Sequence, residues 1–224
     1  MIRHTFALFT HDFSRMSRVT MQDPRYAQLA RQLVRYSTST KRGENVLIDL
    51  YDVPEEMGIA LIREVRAVKA TPFVNVNQAK LSRELALSAD EEQYKTIARH
   101  SLAQMKSMDC YIAIRGSHNV NELSDVPGAK MQMVSSKMRP VLNYRVNKTR
   151  WCVLRWPHPA MAQSAGMSTE AFEDFYFKVC LLDYGALKRG MKALETLMNK
   201  TDQVHIKGKG TDLRFSIKDI PAPW

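Results

Sequence analysis

Four short apolar runs, separated by stretches of helical period, constrain this chain more than any other feature. They are Asn45–Leu50, Phe73–Val76, Cys110–Ile114 and Trp151–Trp156. The first reads as a strand buried on both sides, and the others read as the second, third and fourth strands. The resulting β-α-β-α-β-α-β alternation predicts an α/β fold: a mostly parallel sheet with helices on both faces. Beyond Trp156, Pro157 and Pro159 cannot donate to a ladder, so the fourth strand ends there. A helical pair and a β-hairpin are expected to follow.

The segment boundaries come from local chemistry. Asp23-Pro24 opens a first helix, with Tyr26, Leu29, Ala30, Leu33 and Val34 on one face. Asp52 and Glu55 have capping-box spacing, and so do Ser88 and Glu91, which starts a long helix through about Met105. Thr71-Pro72 ends the second helix. A basic helical segment over Asp125–Asn147 is interrupted or bent near Pro140. Ser168 caps a helix over 169–182, whose stripe Phe172, Phe175, Tyr176 and Val179 predicts core packing. The next helix, over 185–199, places Leu187, Met191, Leu194 and Met198 together. The tail turns at Gly208 and Gly210, and Leu213, Phe215 and Ile217 alternate as in a half-exposed hairpin. These boundaries divide the chain into an extension over 1–22, an α/β domain over 23–156 and a closing unit over 157–224.

Composition narrows the classes. The chain has 224 residues, 45% hydrophobic and 25% charged, as in an ordinary globular protein. No apolar run reaches the roughly 20 residues of a membrane helix. Cys110, Cys152 and Cys180 are widely spaced and odd in number, which suits buried thiols in a reducing cytoplasm. The net charge is +10, and the acid-free interval Val126–Thr169 supplies much of it. Such a surface attracts nucleic acid or an acidic partner. No binding motif or interleaved aromatic pattern accompanies it, so nucleic acid is the weaker alternative to a solvated, externally balanced face. Met131, Met133 and Met138 in that segment suit core filling or an adaptable surface. Residues 1–20 carry Asp12 as their only acid and have a transit-peptide flavour. A disordered extension, or a start at Met16 or Met21, is the preferred expectation.

Catalytic constellations are sparse. In a parallel sheet, ligands bind at the carboxyl ends of strands, here the loops from Tyr51, Asn77, Arg115 and Pro157. Gly116-Ser117-His118-Asn119 offers only one glycine, and Lys207–Thr211 lacks phosphate-loop spacing. The histidines are His4, His11, His100, His118, His158 and His205, and none shows zinc-protease spacing. His118 and His158 both follow strands and are the one pair to consider for joint ligation. Nucleophile–base arrangements do not emerge from spacing. No catalytic, metal or cofactor residue is therefore assigned.

The stretch W-P-x-P-x-M-A, then AGMSTEAFEDFYF and LDY, together with Gly210-Thr211-Asp212-Leu213-Arg214-Phe215, resembles the thermophilic-type bacterial metallo-aminopeptidases. That is the family of aminopeptidases T and S. The resemblance covers roughly Arg25–Trp224 and only the front half of the family. It implies release of amino-terminal residues from peptides by a pair of zinc or cobalt ions. It also implies that the ligands belong to the family's second half, so none has a matching position here. Lys209 stands where the family is expected to have proline. Ile220–Trp224 looks like a chain cut inside a connection. The expectations are an inactive amino-terminal domain in the cytoplasm and a homo-oligomer, or half of an enzyme completed in trans.

Overall fold

The structure is a computed structural model and describes residues 23–88 and 90–222. The extension expected over 1–22 and the ending at Trp224 lie outside the described residues. In α1 (Pro24–Arg31) the Asp23 carboxylate accepts the Arg25 backbone N–H at 2.9 Å, and Pro24 takes a position where no N–H is needed. The helix widens into a π-helical turn over Gln32–Ser37. Leu29, Ala30, Leu33 and Val34 are buried, as their spacing predicts.

The strands are β1 (Asn45–Tyr51), β2 (Thr71–Asn77), β3 (Cys110–Arg115) and β4 (Arg150–Arg155). They form one parallel sheet in the order β2-β1-β3-β4. The connections are α2 (Glu55–Ala67), then α3 (Ala79–Ser88) with α4 (Glu91–Lys106), then α5 (Gly128–Lys148). From β1 the chain moves outward to β2, then crosses back to β3 on the other side of β1. Crossovers of one hand running in opposite directions place helices on opposite faces. Val46, Ile48, Leu50, Ile112 and Ile114 face a core with α1 and α2, while Leu47, Tyr111 and Ala113 face a second core with Met105 and Val141. The alternation inside β1 and β3 thus fills both layers, whereas Phe73, Val74 and Val76 of the edge strand β2 stay exposed.

After β4 come α6 (Pro159–Ser164), α7 (Thr169–Cys180), α8 (Tyr184–Lys200) and a hairpin of β5 (Gln203–Gly208) and β6 (Thr211–Ser216). Trp156 and α7 are tied to α1. The Trp156 ring lies edge-on to Tyr26 at 5.2 Å and to Phe177 at 6.0 Å. Arg25 sits 4.4 Å over the Phe177 ring and pairs with Asp174 at 2.6 Å. The Tyr176 hydroxyl donates to the Arg155 carbonyl at 2.6 Å.

Several sequence-based boundaries need correction. Ser88 does not cap α4. It ends α3, a helix absent from the sequence reading, and Asp90 caps α4 by accepting the Gln93 N–H. Asp52 makes no capping box, because its carboxylate faces the Ala79 N–H of α3 at 3.3 Å. Thr71-Pro72 belongs to β2, which is an edge strand and tolerates a missing N–H. α5 runs through Pro140, with Ser136 and Pro140 both exposed, so water can take the carbonyl bond that proline forfeits. On α7 the buried aromatics are Phe172 and Phe177, whereas Phe175 is 54% and Val179 45% exposed. Packing against Trp156 turns the helix away from its expected stripe. Of the cysteines, only Cys110 is fully buried, and all three are free.

Two charges of the acid-free interval find partners elsewhere in the chain. Lys137 pairs with Glu91 at 2.6 Å and Arg150 with Glu44. No helix among the described residues is long and apolar enough to cross a membrane.

Candidate functional site

The strand order makes a switch point between β1 and β3, where chain connections depart in opposite directions. At the carboxyl edge of such a point the loops separate and leave a crevice. A cavity of about 870 Å³ lies there, walled by the ends of β1, β3 and β4, by the loop after β3 and by α6. Its size is that of a small-molecule site.

Register sets its polar wall. Tyr51 pairs with Arg115, and Arg115 with Arg155, across the last row of the sheet. Residues level in adjacent parallel strands project to the same face, so Tyr51, Arg115 and Arg155 form one row on one face of the sheet. The Arg115 guanidinium lies 5.5 Å over the Tyr51 ring. Among the described residues, neither Arg115 nor Arg155 has an ion-pair partner within 4.0 Å. His158 completes this side, and burial, with help from Arg155, pushes its imidazole below the ordinary value. Arg115 Nε and His158 Nδ1 are both covered from solvent and without a hydrogen-bond partner. Buried polar nitrogens left this way are uncommon and mark a place where a ligand or water fits.

The floor is made by a close backbone approach. The Gly116 N–H donates to the Tyr51 carbonyl at 2.8 Å. A Cβ on Gly116 would stand 2.2 Å from the Asp52 carbonyl oxygen. Asp52 itself has φ +45°, a left-handed conformation that aspartate tolerates. Val120, Leu123, Met161 and Phe172 add apolar lining.

One row deeper lies a buried carboxylate. Asp49 is 8% exposed. It accepts the Tyr111 hydroxyl at 2.6 Å and the Asn77 amide at 2.7 Å. Burial raises its pKa against these hydrogen bonds. Burial and the Asp49 charge likewise raise the Tyr111 and Tyr51 hydroxyls. Arg145 lies 4.8 Å over the Tyr111 ring.

The loops expected at strand ends therefore do form the cavity, through Tyr51, Arg115 and the segment after Pro157. His118 and His158 are not brought to one wall. His158 lines this cavity, and His118 lines a neighbouring one of about 420 Å³ beside Lys80 and Glu122. Among the described residues, no three His, Cys, Asp or Glu side chains are placed to hold a metal ion. These residues thus do not fit a metal pair, and no step through a metal is derived for them. Sequence reading passed over Asp49, because it lies inside an apolar run. It passed over the Arg115–Arg155 pair because register is invisible in the chain. An arginine at the last position of two successive apolar strands was the available signal.

A family model described as thermophilic metalloprotease (M29) matches residues 22–220. Among solved structures, wild-type AmpT from Thermus thermophilus superposes with a TM-score of 0.67 at 18% identity. The match covers 86% of this chain and 53% of that one, so the chain spans about half the length of that protein. At this identity the likeness concerns the fold. VinN, alone and with L-aspartate, matches at TM-scores of 0.26 and 0.27 with 11% identity, covering 57% of this chain and 28% of VinN, and carries no argument. No curated protein matches.

Proposed function

The chain belongs to the thermophilic metalloprotease family M29, and on that premise we propose that it serves a metal-dependent aminopeptidase that removes amino-terminal residues from peptides. The observation that carries this reading is the family match over residues 22–220. Membership implies use of a divalent metal, and the ions proposed are zinc or cobalt. The chain contributes an α/β domain over 23–156 and a helical and hairpin unit over 157–224. It shapes one side of the substrate cleft, while the metal pair is held by residues other than those described. The proposed compartment is the cytoplasm.

Association is part of the reading. No residue of α8 is buried, and Leu187, Leu194, Leu197 and Met198 are all exposed on a helix of strong apolar periodicity. An exposed apolar stripe of this kind suits a partner surface, here in a homo-oligomer. Sedimentation should then show species larger than a monomer, and a monomer at every accessible concentration would oppose it.

Two measurements test the enzymatic reading. The tagged chain is isolated from its native host with whatever accompanies it, and hydrolysis of leucyl amide is followed with and without chelator. Chelator-sensitive release of leucine is expected, and its absence sinks the peptidase assignment. The 224-residue chain alone, freed of host peptidases, should neither bind two zinc or cobalt ions nor turn over. Two bound ions with turnover would relocate the metal site to the chain itself, with His118 and His158 the first to replace.

A further inference from the structure

We propose that the switch-point cavity is a binding site for a small organic carboxylate with an apolar body, gripped by Arg115 and Arg155. The proposal stands apart from the peptidase reading, because it needs neither a metal nor a second polypeptide. Three observations carry it. Arg115 and Arg155 hold paired register positions at the strand ends and both line the cavity, and neither has an ion-pair partner among the described residues. Guanidinium presents planar, paired donors that match a carboxylate edge. Arg115 Nε and His158 Nδ1 are buried without a hydrogen bond at the same wall, leaving polar capacity that the chain itself does not use. The cavity also has apolar lining, from Val120, Leu123, Met161 and Phe172, in a volume of about 870 Å³.

Carboxylate fits better than phosphate. A phosphate site at a sheet edge uses a nest of free backbone N–H groups. Here the Gly116 N–H is already donated to Tyr51, and the Ala79 N–H faces the Asp52 carboxylate. Asp52 also lines the cavity, so the formal charge of its ionised walls is about +1, which suits one negative charge better than two.

The probe is N-acetyl-leucine, titrated into the full chain by calorimetry, beside N-acetyl-leucinamide and inorganic phosphate. One-to-one binding of N-acetyl-leucine is expected, with the amide and phosphate weaker by about tenfold or more. Arg155→Gln changes an exposed side chain, so folding is retained, and it should weaken N-acetyl-leucine by a similar factor. Val120→Ser, also at an exposed position in the apolar lining, should weaken N-acetyl-leucine while leaving the amide-to-acid preference intact. A leucine-ending pentapeptide with a free carboxylate separates two sources of the same chemistry. Binding as tight as N-acetyl-leucine assigns the site to peptide carboxyl termini, and weaker binding assigns it to small free acids. Equal binding of acid and amide, no binding at millimolar concentration, or an Arg155→Gln variant that binds like the wild type would overturn the proposal.

Discussion

Replacing Gly116 by alanine tests whether the two loops at the switch point touch as described. The added Cβ would lie 2.2 Å from the Asp52 carbonyl oxygen and 3.2 Å from that of Tyr51. Both obstacles are backbone, which cannot swing aside as a long side chain does. Asp52 is already in the left-handed region and anchored to Ala79, so little slack exists on that side. The Gly116 loop must retreat, and the 2.8 Å bond to Tyr51 is lengthened or lost. Overpacking costs about 1–3 kcal/mol. A lost backbone hydrogen bond adds about 1 kcal/mol. The expected loss is about 2–4 kcal/mol, or a fall in Tm of roughly 4–16 °C for a chain of this size. Gly128→Ala is the matched control, since a Cβ there meets nothing within 4 Å. It should be neutral or stabilising by up to about 1 kcal/mol. Urea unfolding of the two variants beside the wild type gives the comparison. A Gly116→Ala variant within about 0.5 kcal/mol of wild type, the range of ordinary surface changes, would refute the close approach and the cavity floor built on it.

Further expectations follow from burial and charge. Asp49 has a raised pKa, so its contribution to stability is full below the unfolded value and is lost as pH rises through the folded one. Asp49→Asn should therefore flatten the stability profile in the acid range, read by denaturant titration from about pH 3 to 7. His158 is shifted the other way, so its contribution is full above the unfolded value near 6.5 and lost as pH falls through the lowered one. His158→Gln should remove that decline, seen in the same titrations. Leu61→Ala, at a fully buried site, should cost about 2–5 kcal/mol, whereas Leu197→Ala on α8, 62% exposed, should cost less than about 0.5 kcal/mol in the dissociated chain. Equal losses at the two positions would mean that α8 is covered in the free protein.

The layered fold was legible because its causes are local. A short apolar run between helical periods marks a strand from its own residues, so β1, β2, β3 and β4 emerge from composition and spacing, although only β1 and β3 are buried along their length. Asp23-Pro24 and Ser168 needed only their own next residues to cap α1 and α7. Failures began where a side chain had a choice of partners. Asp52 could cap α2 or turn to α3, and Ser88 could open a helix or close one, and sequence spacing did not distinguish these outcomes. The same limit hid the phase of α7, where Phe175 and Phe177 compete and the Trp156–Tyr26 contact decides. For α8 the apolar period is plain, but a period states only that a face wants burial, and nothing in the described chain buries it.

By itself, then, the sequence determined the order of the four strands and the parallel α/β class, and it pointed to the carboxyl edge, where the cavity lies. Tertiary structure alone decided that Tyr51, Arg115 and Arg155, far apart in the chain, stand in one row above a buried Asp49. Strand pairing is a long-range event, and its register is set by how both faces of the sheet pack at once, which no window of residues encodes.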